Sequence, residues 1–405
     1  MKWTEARLKH LCVDAGQYGL NISAQDYAPQ GHRLIRTSDI DELGHLRPRD
    51  SAVYVDVSLD ARHEIRDGDL LLSRSGTLGR SLLLDALDEP STYAGYLVRF
   101  RPRSDTEPRF MAYVAASKTF QASIEADAVT STIQNFNAER YANIPVTLPS
   151  LDEQRRIADF LDAEVGCIDE LVTDQLRVLH LLEERIDSRI MDIVGKSKLA
   201  DFGGTQSLPL RRLLLKLDRI TKATDEVITA FRDGQVTARS VRRSEGYTLT
   251  KSAEPQGQGV EVGDVVVHGL DGFAGAIGDS EAIGNCSPVY HVCQPISGGN
   301  AQFYGRLLRV LAINGYLGLF ASSTRERAVD FRNWALFGNI PVPVVDSKIQ
   351  HEIGQLVVSV RPLREEVSRF NQRLAERRQA LITAAVTGQI DVTTARFSPS
   401  GAELA

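Results

Sequence analysis

The chain has 405 residues, a net charge of −6 and only four cysteines. That length suits two domains or one duplicated pair. The charged start MKWTEARLKH, the lack of any apolar run near the ~18 residues of a membrane helix, and the sparse cysteines argue against a secretory signal, a membrane span or a disulfide framework, and predict a cytoplasmic protein.

The charge is uneven. Residues 1–143 carry 17 basic and 20 acidic side chains, and residues 144–200 carry 7 and 12. Residues 201–339 carry 15 and 14, and residues 340–405 carry 8 and 7. Within Pro209–Arg243 nine basic residues face four acidic ones. A phosphate backbone responds to such local charge, not to the total.

In chain order, the first block reads as short β segments between turns. IRDGDLLLSRSGTLGR (Ile65–Arg80) reads as a tight turn, a buried strand and a glycine-containing tip. NIPV (Asn143–Val146) follows, its Pro expected at a strand end or a sheet edge because it cannot donate to a ladder. After Pro149, Ser150 and Glu153 have the spacing of a capping box. A helix is then predicted, broken at Gly166. Beyond it Ile168, Val172, Gln175, Leu179, Leu182, Ile186, Arg189 and Ile193 step by four and three, a heptad seam flawed at Gln175 and Arg189, and Gly195 stops the helix.

The second half repeats this plan. VEVGDVVVHGLDGFAG (Val260–Gly275) aligns with Ile65–Arg80, and LLLKL (Leu213–Leu217) resembles LKHLC near the start. NIPV recurs at Asn339–Val342, with a Gln eleven residues after each Asn (Gln154, Gln350). Pro362 falls where Gly166 stood, so a bend or break is expected in both copies. Leu363, Val367, Phe370, Leu374, Arg377, Leu381 and Ala384 form the second seam, flawed at Arg377, and Gly388 ends it. Two helices of roughly 40 Å are expected to bury these stripes against each other. The alternative is that each amphipathic helix packs on its own domain.

Catalytic signals are weak. No two prolines are adjacent, so an Asn-Pro-Pro-Tyr base-flipping loop is absent. VGKSK (Val194–Lys198) mimics a P-loop, but Ile190 stands where its first Gly belongs. Neither His-Glu pair has a second His in zinc spacing (Asp67 and Gln355 stand there), and Glu-x-Lys does not occur. Cys286, His291 and Cys293 have the chemistry of metal ligands without an evident fourth. Buried thiols are the expected reading. No enzyme, metal or cofactor is predicted.

The order of variable block, NIPV with a long helix, variable block and the same again resembles the specificity subunit of type I restriction–modification systems. The resemblance rests on LIRTSDIDELGHL (Leu34–Leu46), DGDLLLSRSGTLGR (Asp67–Arg80), LPSLDEQRRIADFLDAEVGCIDEL (Leu148–Leu171), FRDGQVTARSVRRSEGYT (Phe231–Thr248) and VGDVVVHGLDGFAGAIG (Val262–Gly278). In the second helical block Ile349-Gln350 replaces Glu153-Gln154, a departure from the motif.

The resemblance implies an α+β chain with a pseudo-twofold internal repeat. Two β-rich target recognition domains (1–145 and 200–341) alternate with helical spacers (146–199 and 342–391) that form an antiparallel coiled coil, before a tail (392–405). Each recognition domain would read half of a bipartite, asymmetric double-stranded DNA target. The coiled-coil residues would be Ile168, Val172, Leu179, Leu182, Ile186, Leu363, Val367, Phe370, Leu374 and Leu381. Two adenine-modifying methyltransferase subunits and two restriction/translocase subunits would be the partners, with no catalytic site in this chain. A non-DNA interaction scaffold on the same spacer is the competing reading.

DNA-facing candidates lie in the loops. Arg36, Thr37 and Ser38 precede an acidic turn, and Arg74, Ser75, Thr77 and Arg80 surround Gly76 and Gly79. Arg239, Ser240, Arg242 and Arg243 form the densest basic cluster, and His268 and Asp271 occupy the loop equivalent to Ser73–Gly76. Small residues let a loop approach DNA, where Arg can pair bidentately with guanine. Most of these contacts are expected to go to phosphate.

Overall fold

The computed structural model describes residues 3–128, 135–195, 206–222, 226–242, 257–320 and 330–392. Arg243 and residues 393–405 of the expected tail lie outside the described residues. The chain divides into two compact units: Met1–Thr173 with Phe370–Ala405, and Asp174–Arg369. Among the described residues no helix is long and apolar enough to cross a membrane.

The first unit contains β1 (Thr4–Arg7), β2 (Gln17–Tyr18), β3 (His32–Ile35), β4 (Tyr54–Val55), β5 (Leu70–Ser73), β6 (Ser81–Leu83), β7 (Ser91–Tyr93), β8 (Leu97–Phe100) and β9 (Pro145–Leu148). Helices α1 (Pro108–Ala116), α2 (Lys118–Ala128) and α3 (Ala138–Asn143) precede β9. Strands β2-β8-β5-β6 form an antiparallel sheet, β4-β3-β7 a second sheet, and β1 pairs with β9. β5 is buried at all four positions, as expected of the apolar run after Gly68, whose φ of +88° makes the tight turn.

The second unit repeats the plan. It contains β10 (Ser207–Pro209), β11 (Leu214–Lys216), β12 (Ile228–Ala230), β13 (Val236–Ala238), β14 (Gln258–Val260), β15 (Val265–His268), β16 (Ile277–Asp279), β17 (Gly284–Cys286), β18 (Tyr290–Pro295) and β19 (Pro341–Pro343). Its sheet β11-β18-β15-β16 has the order of β2-β8-β5-β6, and β10 pairs with β19 as β1 does with β9. The long helix α4 (Leu151–Val194) follows β9; α5 (Arg239–Arg242), α6 (Ala301–Ile313), α7 (Trp334–Phe337) and a second long helix, α8 (Ser347–Val386), follow in order.

The repeated motif is a joint between strand and long helix. The Asn143 and Asn339 amides donate to the carbonyls four residues back, at Glu139 (2.8 Å) and Ala335 (2.6 Å), closing α3 and α7. Ile144 and Ile340 are buried, and their carbonyls accept the Leu8 and Leu210 N–H groups at 3.0 and 2.9 Å. The prolines open β9 and β19 at the edge of two-stranded sheets, as expected. Gln154 and Gln350, 1% and 6% exposed, accept from the N-cap N–H groups of α1 (Glu107, 2.9 Å) and α6 (Asn300, 3.1 Å). Each also donates to a carbonyl just ahead of its own helix, Pro149 (3.0 Å) or Val345 (2.8 Å). The Gln therefore satisfies polar groups at the starts of two helices at once, which explains its survival where its Glu neighbour became Ile349.

Several expectations need correcting. Leu8–Leu11 is equivalent to Leu210–Leu213, not to Leu213–Leu217, because both segments make the same bond to the NIPV isoleucine. Glu153 accepts the Trp3 indole N–H (3.2 Å) instead of reaching back to its helix start. Neither helix breaks: α4 runs 44 residues through Gly166 and α8 runs 40 residues through Pro362. Pro362 and Val358, whose carbonyl loses its partner, are both exposed, so water can replace that bond. A Cβ at Gly166 would meet nothing within 4 Å. Gly166→Ala is therefore expected to stabilise the chain by about 0.5–1 kcal/mol, read as a higher denaturation midpoint.

The predicted seams are at least half-buried in their first part except at Phe370, and then the buried row slips by one residue. Ile168 and Ile186 are buried, and Val172, Gln175, Leu179 and Leu182 half-buried, but Ile190 and Val194 replace Arg189 and Ile193 as the most buried positions. On α8, Leu363 and Val367 are half-buried and Leu374 is buried. Phe370 is 38% exposed, with Arg373 over its ring. Beyond Leu374 the buried row passes through Arg378, Ile382 and Ala385 instead of Arg377, Leu381 and Ala384. A straight helix repeats every 3.6 residues, so a 3.5-residue stripe drifts off its face.

These distal residues pack into the globular cores. Ile382, Ala385 and Val386 join Leu8, Phe110, Ile157 and Leu161 in the first unit, and Ile186, Ile190 and Val194 join Leu210, Leu307 and Ile353 in the second. Both arrangements anticipated for the helices therefore occur. Within the second unit Glu183 binds Arg364 (2.7 Å) while Arg189 binds Glu352 (3.3 Å), so the helices run antiparallel there. In the first unit Asp169 binds Arg378 at 3.0 Å. Both helices end ahead of a left-handed glycine, Gly195 (φ +96°) and Gly388 (φ +72°).

Candidate nucleic-acid interface

In the first unit the loop after β5 is pinned at its base. The Tyr141 hydroxyl donates to the Ser73 carbonyl (2.7 Å) and accepts the Gly79 N–H (3.0 Å). Gly79 lies against Gln121, where a Cβ would sit 2.3 Å from the amide oxygen, so no larger residue fits without displacing it. The tip at Gly76 is open, with φ +73° and nothing within 4 Å of a Cβ.

Beside this loop lies a cleft of about 650 Å³. It gathers Arg36, Thr37, Ser38, Arg74 and Ser75 from separate parts of the sequence, together with Asn21, Tyr27, Tyr96 and Asn135. The side chains are not equally available. Arg36 is chelated by Asp39 (2.8 and 3.1 Å) and donates to the Ser51 carbonyl (3.0 Å). Ser38 leans on the same carboxylate. Thr37 Oγ1 is buried without a hydrogen-bond partner among the described residues. Two candidates fall outside the cleft lining: Thr77 is exposed, and Arg80 donates to the Ile40 carbonyl (2.8 Å). Arg74 is held differently, its Nε on Asn135 Oδ1 (3.2 Å) and its guanidinium 4.6 Å from the centre of the Tyr18 ring.

In the second unit the two predicted loops meet through a residue that sequence reasoning passed over. Arg232, in the turn between β12 and β13, binds Asp271 at 3.1 Å. Arg242 binds Asp233 in the same turn (2.6 Å) and lies 4.3 Å over Phe231. Arg239 donates to Thr229 (3.2 Å) and Ser240 to Glu226 (3.0 Å). His268 Nδ1 accepts the Leu270 and Asp271 N–H groups at 3.1 and 3.0 Å, and its ring meets Tyr290 edge-on. Burial pushes its pKa below the usual histidine value; Asp271 opposes this and Arg232 adds to it. The ring is thus neutral at neutral pH and serves as an acceptor within the turn. Cys286, His291 and Cys293 are buried as expected, burial pushing both thiols up to about 12, and His291 Nε2 lies 2.6 Å from the Phe331 carbonyl.

Tyr18, Tyr96 and Asn135 were missed as well. Tyr96 is 67% exposed in the turn between β7 and β8, and only its aromatic character beside a glycine could have marked it.

Comparison with known proteins places this cleft. Residues 26–178 match the family described as type I restriction modification DNA specificity domain. That match covers 153 of the 405 residues, so residues 26–178 are similar to a type I specificity domain. The match is to a recognition domain and not to a catalytic one, and it contains all but Leu20, Asn21, Ile22 and Ser23 of the cleft lining. A likeness in fold alone extends through the second half. A structure titled for complex assembly and conformational transition of the type I R-M system superposes with a TM-score of 0.55 at 14% identity, covering 96% of this chain and 98% of that one. The S subunit from M. genitalium gives a TM-score of 0.47 at 16% identity, covering 95% and 96%. The HsdS subunit from Thermoanaerobacter tengcongensis gives 0.41 at 14%, covering 96% and 97%. No curated protein sequence matches.

Proposed function

We propose that this chain is the DNA-reading subunit of a type I restriction–modification complex. Its two recognition domains, residues 1–145 and 200–341, each read one half of a bipartite, asymmetric duplex target. The helical spacers, residues 146–199 and 342–391, each hold one adenine-modifying methyltransferase subunit, and two restriction subunits join that core. The observation that carries the reading is selective retention within the repeat. Polar groups at the strand-to-helix joint (Asn143 and Asn339, Gln154 and Gln350) make the same bonds in both units, whereas the loops beyond β5 and β15 share almost no side-chain interactions. A retained joint fits a partner met twice, and divergent loops fit two different half-sites. The first-unit cleft and the Arg232, Arg239 and Arg242 cluster are the proposed DNA-facing surfaces.

The test is co-expression with the methyltransferase encoded beside it, followed by sequencing of methylated adenines in host DNA and a gel shift on the motif found. The expected result is a split motif with an unread spacer, bound by the complex. The chain alone, supplied with S-adenosylmethionine, is expected to methylate nothing. A complex without affinity for DNA would return the chain to the scaffold reading.

A further inference from the structure

Three arginines of the first unit were candidates for reading DNA, and the structure separates them by what each guanidinium still has to offer. Arg36 spends its Nε and a terminal nitrogen on Asp39 and the Ser51 carbonyl, and its charge is neutralised. Arg80 spends a terminal nitrogen on a backbone carbonyl. Arg74 is fixed everywhere except at its tip. Its backbone N–H donates to the Tyr96 carbonyl and its carbonyl accepts the Phe136 N–H, both at 2.9 Å. Its Nε is on Asn135, and its flat face lies on Tyr18, whose own hydroxyl accepts the Ala138 N–H at 3.0 Å. Among the described residues the two terminal nitrogens have no partner, and no carboxylate pairs with the charge.

This deepens the DNA-reading proposal and rests on it. We propose that Arg74 is a specificity-determining residue that reads one guanine of the half-site through the paired acceptors O6 and N7. A phosphate contact needs charge but no fixed plane. A guanidinium whose Nε and face are already committed offers one edge in one plane, two parallel N–H donors that match the guanine edge and no other base. Holding the fork in place before DNA arrives also removes the ordering cost that a free arginine would meet on binding. Asn135 and Tyr18 are positioning residues for that fork.

The experiment uses the whole methyltransferase complex on duplexes carrying its own motif. Each guanine is replaced in turn by 7-deazaguanine, which lacks the N7 acceptor and keeps Watson–Crick pairing. Arg74→Ala is expected to relax one guanine position, reducing discrimination there ~10–100-fold while leaving the rest of the motif intact. At that position 7-deazaguanine should weaken the wild-type complex and cost the variant nothing further. Arg74→Gln, whose amide offers one donor and one acceptor in place of two donors, should also lose the guanine preference, and it carries the test if the alanine variant fails to assemble. Tyr18→Leu should relax the same guanine more mildly.

A uniform loss across all sequences, with a smaller salt slope and an unchanged motif, would make Arg74 a phosphate contact and overturn the inference. So would a 7-deazaguanine penalty that persists in the variant at every guanine, or a half-site without guanine. A wild-type complex with no sequence preference would instead overturn the DNA-reading proposal itself.

Discussion

Asp264→Ala is expected to destabilise the second unit by about 3–5 kcal/mol, and Asp69→Ala the first by a similar amount. Both carboxylates are fully buried, one residue after the glycine that turns into the central strand. Each accepts a backbone N–H three residues back, from Glu261 (2.8 Å) or Arg66 (3.0 Å), and so closes the tight turn. Each also carries a partly buried arginine. Arg101 approaches Asp69 at 2.7 and 2.8 Å, and Arg219 grips Asp264 through both terminal nitrogens, joined by Gln294 at 3.1 Å. Alanine removes the buried counter-charge and the turn acceptor together, leaving an N–H with nothing to bind and the arginines with only the Glu64 carbonyl (Arg101, 3.1 Å) or the Glu261 carboxylate (Arg219, 3.3 Å). Asparagine keeps an acceptor for the turn and should cost less than alanine. Urea unfolding of the full chain followed by far-UV circular dichroism measures the difference. A loss below about 1 kcal/mol would show that the arginines reach water once released.

If the DNA-reading proposal holds, exchanging the second proposed recognition domain for that of a type I specificity subunit is expected to replace one half of the methylated motif completely and leave the other half unchanged. The exchange points matter. β10 and β19 pair from Ser207–Pro343 to Pro209–Pro341, and the Leu210 N–H reaches the Ile340 carbonyl at 2.9 Å. A junction at 200 and 341 leaves β10 from one parent facing a β19 split between the two. Junctions at 206 and 344 keep the strand pair and the isoleucine bond within one parent, while the helix start with Gln350 stays with the recipient. Methylated-adenine sequencing of cells carrying the hybrid reads the outcome. A change in both halves would mean that the two domains do not read independently.

The repeat itself was legible because the motif is written in residues whose roles do not depend on the variable loops. Asn143 and Gln154 bond through their side-chain amides, and Ile144 is buried while its backbone carbonyl accepts the Leu8 N–H; the same letters recur with the same roles at Asn339, Ile340 and Gln350. Burial of the strand after each Gly-Asp was legible for the same reason. The seam was legible only as far as the helices face each other. Beyond Leu374 and Ile186 a globular core decides which side is covered, and no heptad count contains that information. Pro362 misled because its cost depends on whether water reaches the carbonyl four residues earlier, a tertiary fact. At the candidate interface the cleft residues could be named but not ranked. The Arg36-x-x-Asp39 spacing could have warned that Arg36 is neutralised locally, whereas the hold of Tyr18 and Asn135 on Arg74 joins segments more than fifty residues apart on either side.

The first unit draws on both ends of the chain, because Ile382, Ala385 and Val386 complete the core built by Leu8, Phe110 and Ile157. During translation the ribosome must therefore add everything from residue 174 to 369 before the last piece of that core can arrive. At elongation rates of about 5–20 residues per second this is a wait of roughly 10–40 s. The second unit, contiguous in sequence, can close meanwhile. A nascent or prematurely terminated chain thus carries a finished second unit and a first unit with an open apolar face. Such a face is a substrate for chaperones and proteases, so an incomplete chain is open to removal before its first unit closes.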